Sequence, residues 1–387
     1  MHNKILKIAL YAICFNILFT PFNSTLAALF GYLAIICSVM HPVIRSIRLG
    51  KLKINVYVVY FIAILVLSMA MSIENFSIEN LNQYILLFLS FISFYWSLSF
   101  GRDKSEGLYL QDLYKVNYVL CFIYIVFSFG PFSFKYMEVG EWGAKVFNMG
   151  LGNPNSVAVY VMFSVEVLFI QLLSIQKKTH KAFNISLITI LIYILVKLSS
   201  RTVLICVLAV VVYYIVRPRK KIGKVFLYFI MIFPAIMIPM QVLIGQKYYE
   251  IRILGKSLAT GRADIYKEIL DNIVASPHNY MFGRFFEYPF ENMHNTPLTI
   301  LVSIGVVGLL LYFMFWVRQI NFLDSVSNTA TQKIAFFSLL VFFLHSSSET
   351  MTMIGTIPYG VFVLLMVKIG KGDFRNKKQV VKKNEWR

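Results

Sequence analysis

The residues able to do chemistry stand out because their surroundings are so apolar. Arg201, in Ser199-Ser200-Arg201-Thr202, lies between two apolar runs. An unpaired guanidinium is expensive there, and an ionisable side chain at such a depth is a functional candidate by default. Lys197 lies one helical turn earlier; for both cations the plain alternative is a charged head snorkelling to the interface. Arg262, in Thr260-Gly261-Arg262-Ala263-Asp264, opens a stretch of helical periodicity. A helix start favours a bound anion over a cation, so an arginine there makes sense as a phosphate grip through its planar fork; the alternative is a surface pair with Asp264 or Glu268. His294, in His294-Asn295-Thr296-Pro297, can take a proton from a sugar hydroxyl near neutral pH, which is general-base work. A lone histidine is otherwise an interfacial polar residue. His278 and His345 are secondary histidines, and Glu349, after His345-Ser346-Ser347-Ser348, suits the orienting of a base or a sugar contact.

Other chemistries lack their residues. There is no Gly-rich Lys-Ser/Thr loop, no His-Glu-x-x-His, no Cys-x-x-Cys and no acidic pair spaced to clamp a metal nucleotide. The sequence therefore points to no cofactor, no metal and no nucleotide donor. Cys14, Cys37, Cys121 and Cys206 all fall inside apolar runs without paired spacing, as small core residues do.

The elements that must position these residues are membrane helices. The chain has 387 residues, 58% hydrophobic and only 14% charged, which excludes two or three soluble domains. Apolar runs at 5–20, 24–40, 55–73, 81–100, 116–132, 154–173, 184–200, 202–216, 225–243, 297–317, 334–348 and 357–369 predict an all-α polytopic membrane protein of about 12 spans, a single transmembrane domain over 1–387. Lys4 and Lys7 before Ile8–Phe19 resemble a signal peptide, but no small-residue cleavage site follows, so this reads as a retained first helix. Pro234 and Pro239 predict a kink in the ninth span.

The net charge of +19 is mostly a topology signal. With both termini inside, most of the 37 Lys and Arg fall in cytoplasmic segments, including a basic tail at 370–387, while Glu74, Glu79, Glu138 and Glu141 fall outside. That is the positive-inside pattern. It makes anionic membrane lipid a partner and gives no reason to expect nucleic acid. The one sizeable outer segment is a periplasmic loop at 244–296. Within it, residues 260–275 predict an amphipathic helix, with Ile265, Ile269, Leu270 and Ile273 on one side and Asp264, Lys267, Glu268 and Asp271 on the other. No repeat of 20 to 50 residues is visible.

Gly152-Asn153-Pro154-Asn155-Ser156 opening a span, Ser200-Arg201-Thr202 at a helical hairpin, Thr260-Gly261-Arg262 in the outer loop, and His294-Asn295 followed by Leu298 and Gly305-Val306-Val307-Gly308 together resemble the O-antigen polymerase and O-antigen ligase superfamily of bacterial envelope glycosyltransferases. The resemblance covers residues 150 to 310 better than either end. It implies metal-independent, inverting transfer of an undecaprenyl-pyrophosphate-linked oligosaccharide at the periplasmic face of the inner membrane. Arg201 and Arg262 would bind the pyrophosphate, and His294 would deprotonate the acceptor hydroxyl. Asn153, Asn155, Arg284, Glu349 and Lys197 would contact substrate. Ligase-like members carry a tryptophan soon after the Gly-Arg pair; here Ile265-Tyr266 stands there, and Tyr266 would take its part. Gly-Asn-Pro-Asn looks polymerase-like, so a repeat-unit polymerase with a chain-length regulator as candidate partner is expected ahead of a ligase. A transporter of the same lipid-linked sugar is the reading from another class; it calls for midplane charges and inverted repeats.

Overall fold

The computed structural model describes residues 2–48, 56–81, 109–139, 144–174, 177–247, 252–253, 256–257, 266–271, 277–286, 295–326 and 329–346. Their helices are α1 (His2–Phe19), α2 (Ser24–Arg48), α3 (Val56–Met71), α4 (Tyr109–Phe129), α5 (Pro154–Ser174), α6 (Lys178–Leu198), α7 (Arg201–Val216), α8 (Lys220–Lys247), α9 (Pro277–Phe282), α10 (Thr296–Val326) and α11 (Ala330–His345). Residues 266–271 form a further helical segment. Two short antiparallel pairs join them: β1 (Tyr136–Val139) with β2 (Ala144–Phe147), and β3 (Arg252–Ile253) with β4 (Lys256–Ser257). Among the described residues three stretches, Leu110–Phe129, Lys178–Leu198 and Thr296–Ser325, are long and apolar enough to cross a membrane, and shorter apolar helices lie in α1, α2, α3, α5, α7 and α11. The chain is an all-α membrane protein. The expected spans at 81–100 and 357–369 and the tail at 370–387 lie outside the described residues.

α11 is the spine. Ile334 to His345 are all buried, as a helix apolar all round must be, and α5, α7, α8 and α10 pack around it. Its start is fixed by a capping box, in which the Gln332 N–H donates to Thr329 Oγ1 (3.3 Å) and the Thr329 N–H to Gln332 Oε1 (3.2 Å). Lipid is as apolar as leucine, so what holds such a helix is close packing and dispersion rather than escape from solvent. The rings do this here: Phe343 stacks on Tyr312 at 6.1 Å, Trp316 meets Phe342 and Phe343, and Tyr213 meets Phe336.

Antiparallel packing sorts the polar residues into two ends. At one, the basic end, Lys7 pairs with Asp112 at 2.6 Å and ties α1 to α4. Arg217 Nε donates to Asp324 Oδ1 (3.2 Å), Tyr213 donates to the same oxygen (2.6 Å), and Arg217 Nη2 donates to the Asp324 carbonyl (3.0 Å), so the α7–α8 turn is locked to the end of α10. Lys177, Lys178, Lys181, Arg219, Lys220, Lys221 and Lys224 stand exposed around these pairs. The other end, the loop end, gathers the 20–23 turn, residues 72–81, the β1–β2 hairpin, the α6–α7 turn, residues 277–286, the start of α10 and the end of α11.

Glycine breaks α10 where proline does not break α8. α8 runs continuously through Pro234 and Pro239, whereas Gly305 inside α10 has φ 70° and ψ −175°, a backbone that L side chains rarely adopt. The break lets the 281–284 backbone lie directly on α10: a Cβ on Gly305 would meet the Met281 carbonyl, and one on Gly283 (φ 73°) would meet the backbone of Ser303 and Ile304. Carbonyls beside the break take donors from outside the helix, Val302 from the Arg284 N–H (2.7 Å) and Ser303 from the Ser68 hydroxyl (2.5 Å). Ser72 Oγ accepts from the Phe286 N–H (3.2 Å) and donates to the Ser68 carbonyl (2.8 Å). Irregular backbone at membrane depth is tolerated where neighbours supply such bonds.

Candidate active site at the loop end

The α6–α7 hairpin is as tight as the sequence suggests. Ser199 closes α6 in the left-handed conformation (φ 51°), its N–H donating to the Val196 carbonyl at 3.0 Å. Ser200 follows in extended backbone as the N-cap of α7, without a side-chain capping bond, and Arg201 is the first residue of α7. The turn therefore delivers the Arg201 backbone to the loop end at a helix start; its side chain lies outside what is described. Lys197 is exposed, and its Nζ lies over Tyr193, Phe147 and Phe129 at 5.1, 5.6 and 5.7 Å from the ring centroids. Ring faces attract an ammonium, so the head is steered onto β2 and the end of α4.

Beside it, the segment entering α5 is built by short polar bonds. Asn148 Nδ2 donates to the Gly152 carbonyl (2.9 Å), and its Oδ1 accepts from the Gly150 N–H (3.1 Å). Asn153 Oδ1 accepts from the Asn155 N–H (2.9 Å), which satisfies one of the donors a helix start leaves over. Asn153 thus has a capping role that the sequence reading did not give it. Phe22, Phe127, Phe132 and Phe134 pack edge to face and stacked under this segment, at centroid distances from 4.8 to 6.2 Å.

The second cluster lies at the start of α10. Asn295, buried, accepts the Leu298 N–H on its Oδ1 (2.9 Å), and its carbonyl takes both the N–H and the hydroxyl of Thr299 (3.0 and 2.8 Å). The Thr296 N–H donates to the Ser346 carbonyl at the end of α11 (2.8 Å), and Ser346 Oγ also meets the Tyr312 hydroxyl (3.2 Å). The start of α10, two residues after His294, is therefore pinned to the spine. Tyr266 is wholly buried, packed with Ile269 against Leu298, Leu301 and Val302, while Lys267, Glu268 and Asp271 are exposed. The described part of the expected amphipathic helix thus lies apolar side down on α10, and the Tyr266 ring is used for packing. Arg284 reaches out to Glu74, Nη2 to Oε1 3.0 Å.

Asn153, Asn155, Lys197, the Arg201 backbone, Arg284 and Tyr266 thus all stand at one end of the bundle, divided between two clusters that α11 joins by packing on both α7 and α10. Arg262, His294 and Glu349 lie outside the described residues. Among the described residues no group of three or more His, Cys, Asp and Glu is assembled as for a metal ion. Three features went unseen in the sequence: the buried Ser200 hydroxyl, the Ser346 carbonyl that anchors α10, and Glu166, a buried carboxyl inside α5 near Ser338 and Cys206. Glu166 alone left a signal, a carboxylate within an apolar run.

Residues 185–313 match a family model described as O-antigen ligase. No curated protein and no solved structure matches the chain.

Proposed function

We propose that the chain is a member of the O-antigen polymerase and ligase superfamily, as the match over residues 185–313 supports, and that it is a repeat-unit polymerase that moves a growing polyprenyl-linked glycan onto the non-reducing-end hydroxyl of an incoming lipid-linked repeat unit. The observation carrying this reading is a coincidence of place: the matched segment holds Lys197, Arg201, Arg262, Tyr266, Arg284 and His294, and those of them that are described stand together at the loop end. In the proposed reaction the acceptor oxygen attacks the anomeric carbon opposite the leaving group. The bond from that carbon to the pyrophosphate oxygen breaks, His294 takes the hydroxyl proton, and polyprenyl pyrophosphate leaves with the electron pair. Arg201 and Arg262 stabilise the charge that grows on it, and fixed charges aimed at a leaving group in this way commonly supply much of an enzyme's rate enhancement. Asn295 gives His294 a rigid neighbour, which suits positioned proton transfer. The lipid-linked donor comes to the periplasmic face of the inner membrane, so no nucleotide is needed.

The description of the matched family favours a second reading, a ligase handing finished chains to lipid A-core. Gel profiles of deletion cells separate the two: loss of a polymerase leaves a single repeat on the core, loss of a ligase leaves the core bare. Arg201→Ala, Arg262→Ala and His294→Ala are each expected to abolish long-chain polysaccharide while the protein still inserts; normal chain length in all three would overturn both readings.

A further inference from the structure

The start of α7 has more to offer an anion than one arginine. Its first intrahelical bond runs from the Leu204 N–H to the Ser200 carbonyl (3.2 Å), so the N–H groups of Arg201, Thr202 and Val203 are those the helix leaves over. A serine at the N-cap normally turns its hydroxyl onto these donors; Ser200 does not. Its hydroxyl is instead buried, with the residue 1% exposed, and has no hydrogen-bond partner among the described residues. A buried hydroxyl without a partner is costly, and it stands at the positive end of a 16-residue helix. The charge beside it in the sequence has one sign. No acidic residue occurs between Glu166 and Glu250, and Lys197, three residues before Ser200, rests on aromatic rings with no carboxylate among its described contacts.

We infer that the α6–α7 turn is an oxyanion cradle in which the Ser200 hydroxyl and the N–H groups of Arg201, Thr202 and Val203 receive a phosphate oxygen of the lipid-linked donor. The inference rests on the proposed function and adds Ser200 to the residues that bind the leaving group. The serine hydroxyl moves between staggered positions by one rotation, so it serves as a donor to the anion without displacing the backbone. Leaving the N-cap hydroxyl uncommitted keeps all of these donors for the ligand.

The test uses the full-length protein in detergent with inorganic pyrophosphate as the probe, following both affinity and melting temperature. Ser200→Ala is expected to weaken pyrophosphate binding roughly tenfold or more, the range for a hydrogen bond to a charged group. Its melting temperature without pyrophosphate should be unchanged or raised, because an unsatisfied hydroxyl has been removed; a purely structural serine would show the reverse pattern. Ser200→Thr, which keeps the hydroxyl, should recover binding to within about threefold. Undecaprenyl pyrophosphate should compete with the probe, and phosphatidylglycerol in the micelle should not; equal competition by the phospholipid would overturn the assignment to the donor. Wild-type affinity in Ser200→Ala, with Arg201→Ala weakened, overturns the cradle and leaves the proposed function standing. A wild-type protein that takes up no pyrophosphate also overturns the cradle, and the proposed function is then judged separately from glycan elongation.

Discussion

Arg284 shows how structure and chemistry can be told apart at single residues. Its guanidinium meets Glu74, a partner 72% exposed, and exposed pairs of this kind contribute about 0–1 kcal/mol. Arg284→Ala is therefore expected to leave the melting temperature within a few degrees of wild type, as its backbone bond to Val302 survives. A large loss of polysaccharide chain length in that variant would then report a substrate contact rather than a fallen strap. Asn153 separates the same way. Asn153→Ala removes the cap to the Asn155 N–H and should cost about 0.5–2 kcal/mol, whereas Asn153→Asp keeps an acceptor and the stability. If Asn153→Asp melts like wild type but makes short chains, the side-chain amide touches sugar; if both variants follow stability alone, Asn153 is a cap and nothing more. The candidates were legible in sequence because a charged or amide group in an apolar run is conspicuous. Ser200 was not, since serine is unremarkable in a turn, and its significance lies in a bond it fails to make.

Among the elements, the broken helix α10 makes the firmest prediction. Gly305→Ala would set a Cβ against the Met281 carbonyl at a positive φ, and neither backbone can yield without freeing the 281–286 segment from Val302 and Ser72. The variant should lose several kcal/mol of stability or fail to accumulate, by the ordinary cost of side chains at such positions; a wild-type melting temperature would contradict the clamped arrangement. The sequence reading singled out Gly305 within a motif but did not foresee a break there; it expected a kink at Pro234 and Pro239, across which α8 stays continuously helical. Helix positions were readable because apolar runs of spanning length have few other solutions. Their lengths were less so: α10 reaches Val326 and α2 reaches Arg48, since polar terminal turns stay helical outside any apolar window. The β1–β2 hairpin was missed because two four-residue strands are too short for alternation to show.

For the whole molecule, the separation of a basic end from a loop end is the feature on which orientation rests. Single cysteines at Ser199 and Lys220, in a background with Cys14, Cys37, Cys121 and Cys206 replaced, should react differently with a membrane-impermeant maleimide in intact spheroplasts, Ser199→Cys labelled and Lys220→Cys protected. Labelling of Lys220→Cys alone would invert the protein. Charge asymmetry announced this much in the sequence, but the role of α11 as a spine did not, because an apolar run reads alike whether protein or lipid surrounds it.

The most direct measurement of the central claim is glycan elongation by the purified full-length protein in detergent, supplied with undecaprenyl-pyrophosphate-linked repeat units and no nucleotide sugar. With no compartment to cross, a transporter has nothing to do. Longer lipid-linked glycans from wild-type protein, and none from Arg201→Ala or His294→Ala at equal folded concentration, are the predicted result. Unchanged substrate with folded wild-type protein, or equal elongation by both variants, would contradict it.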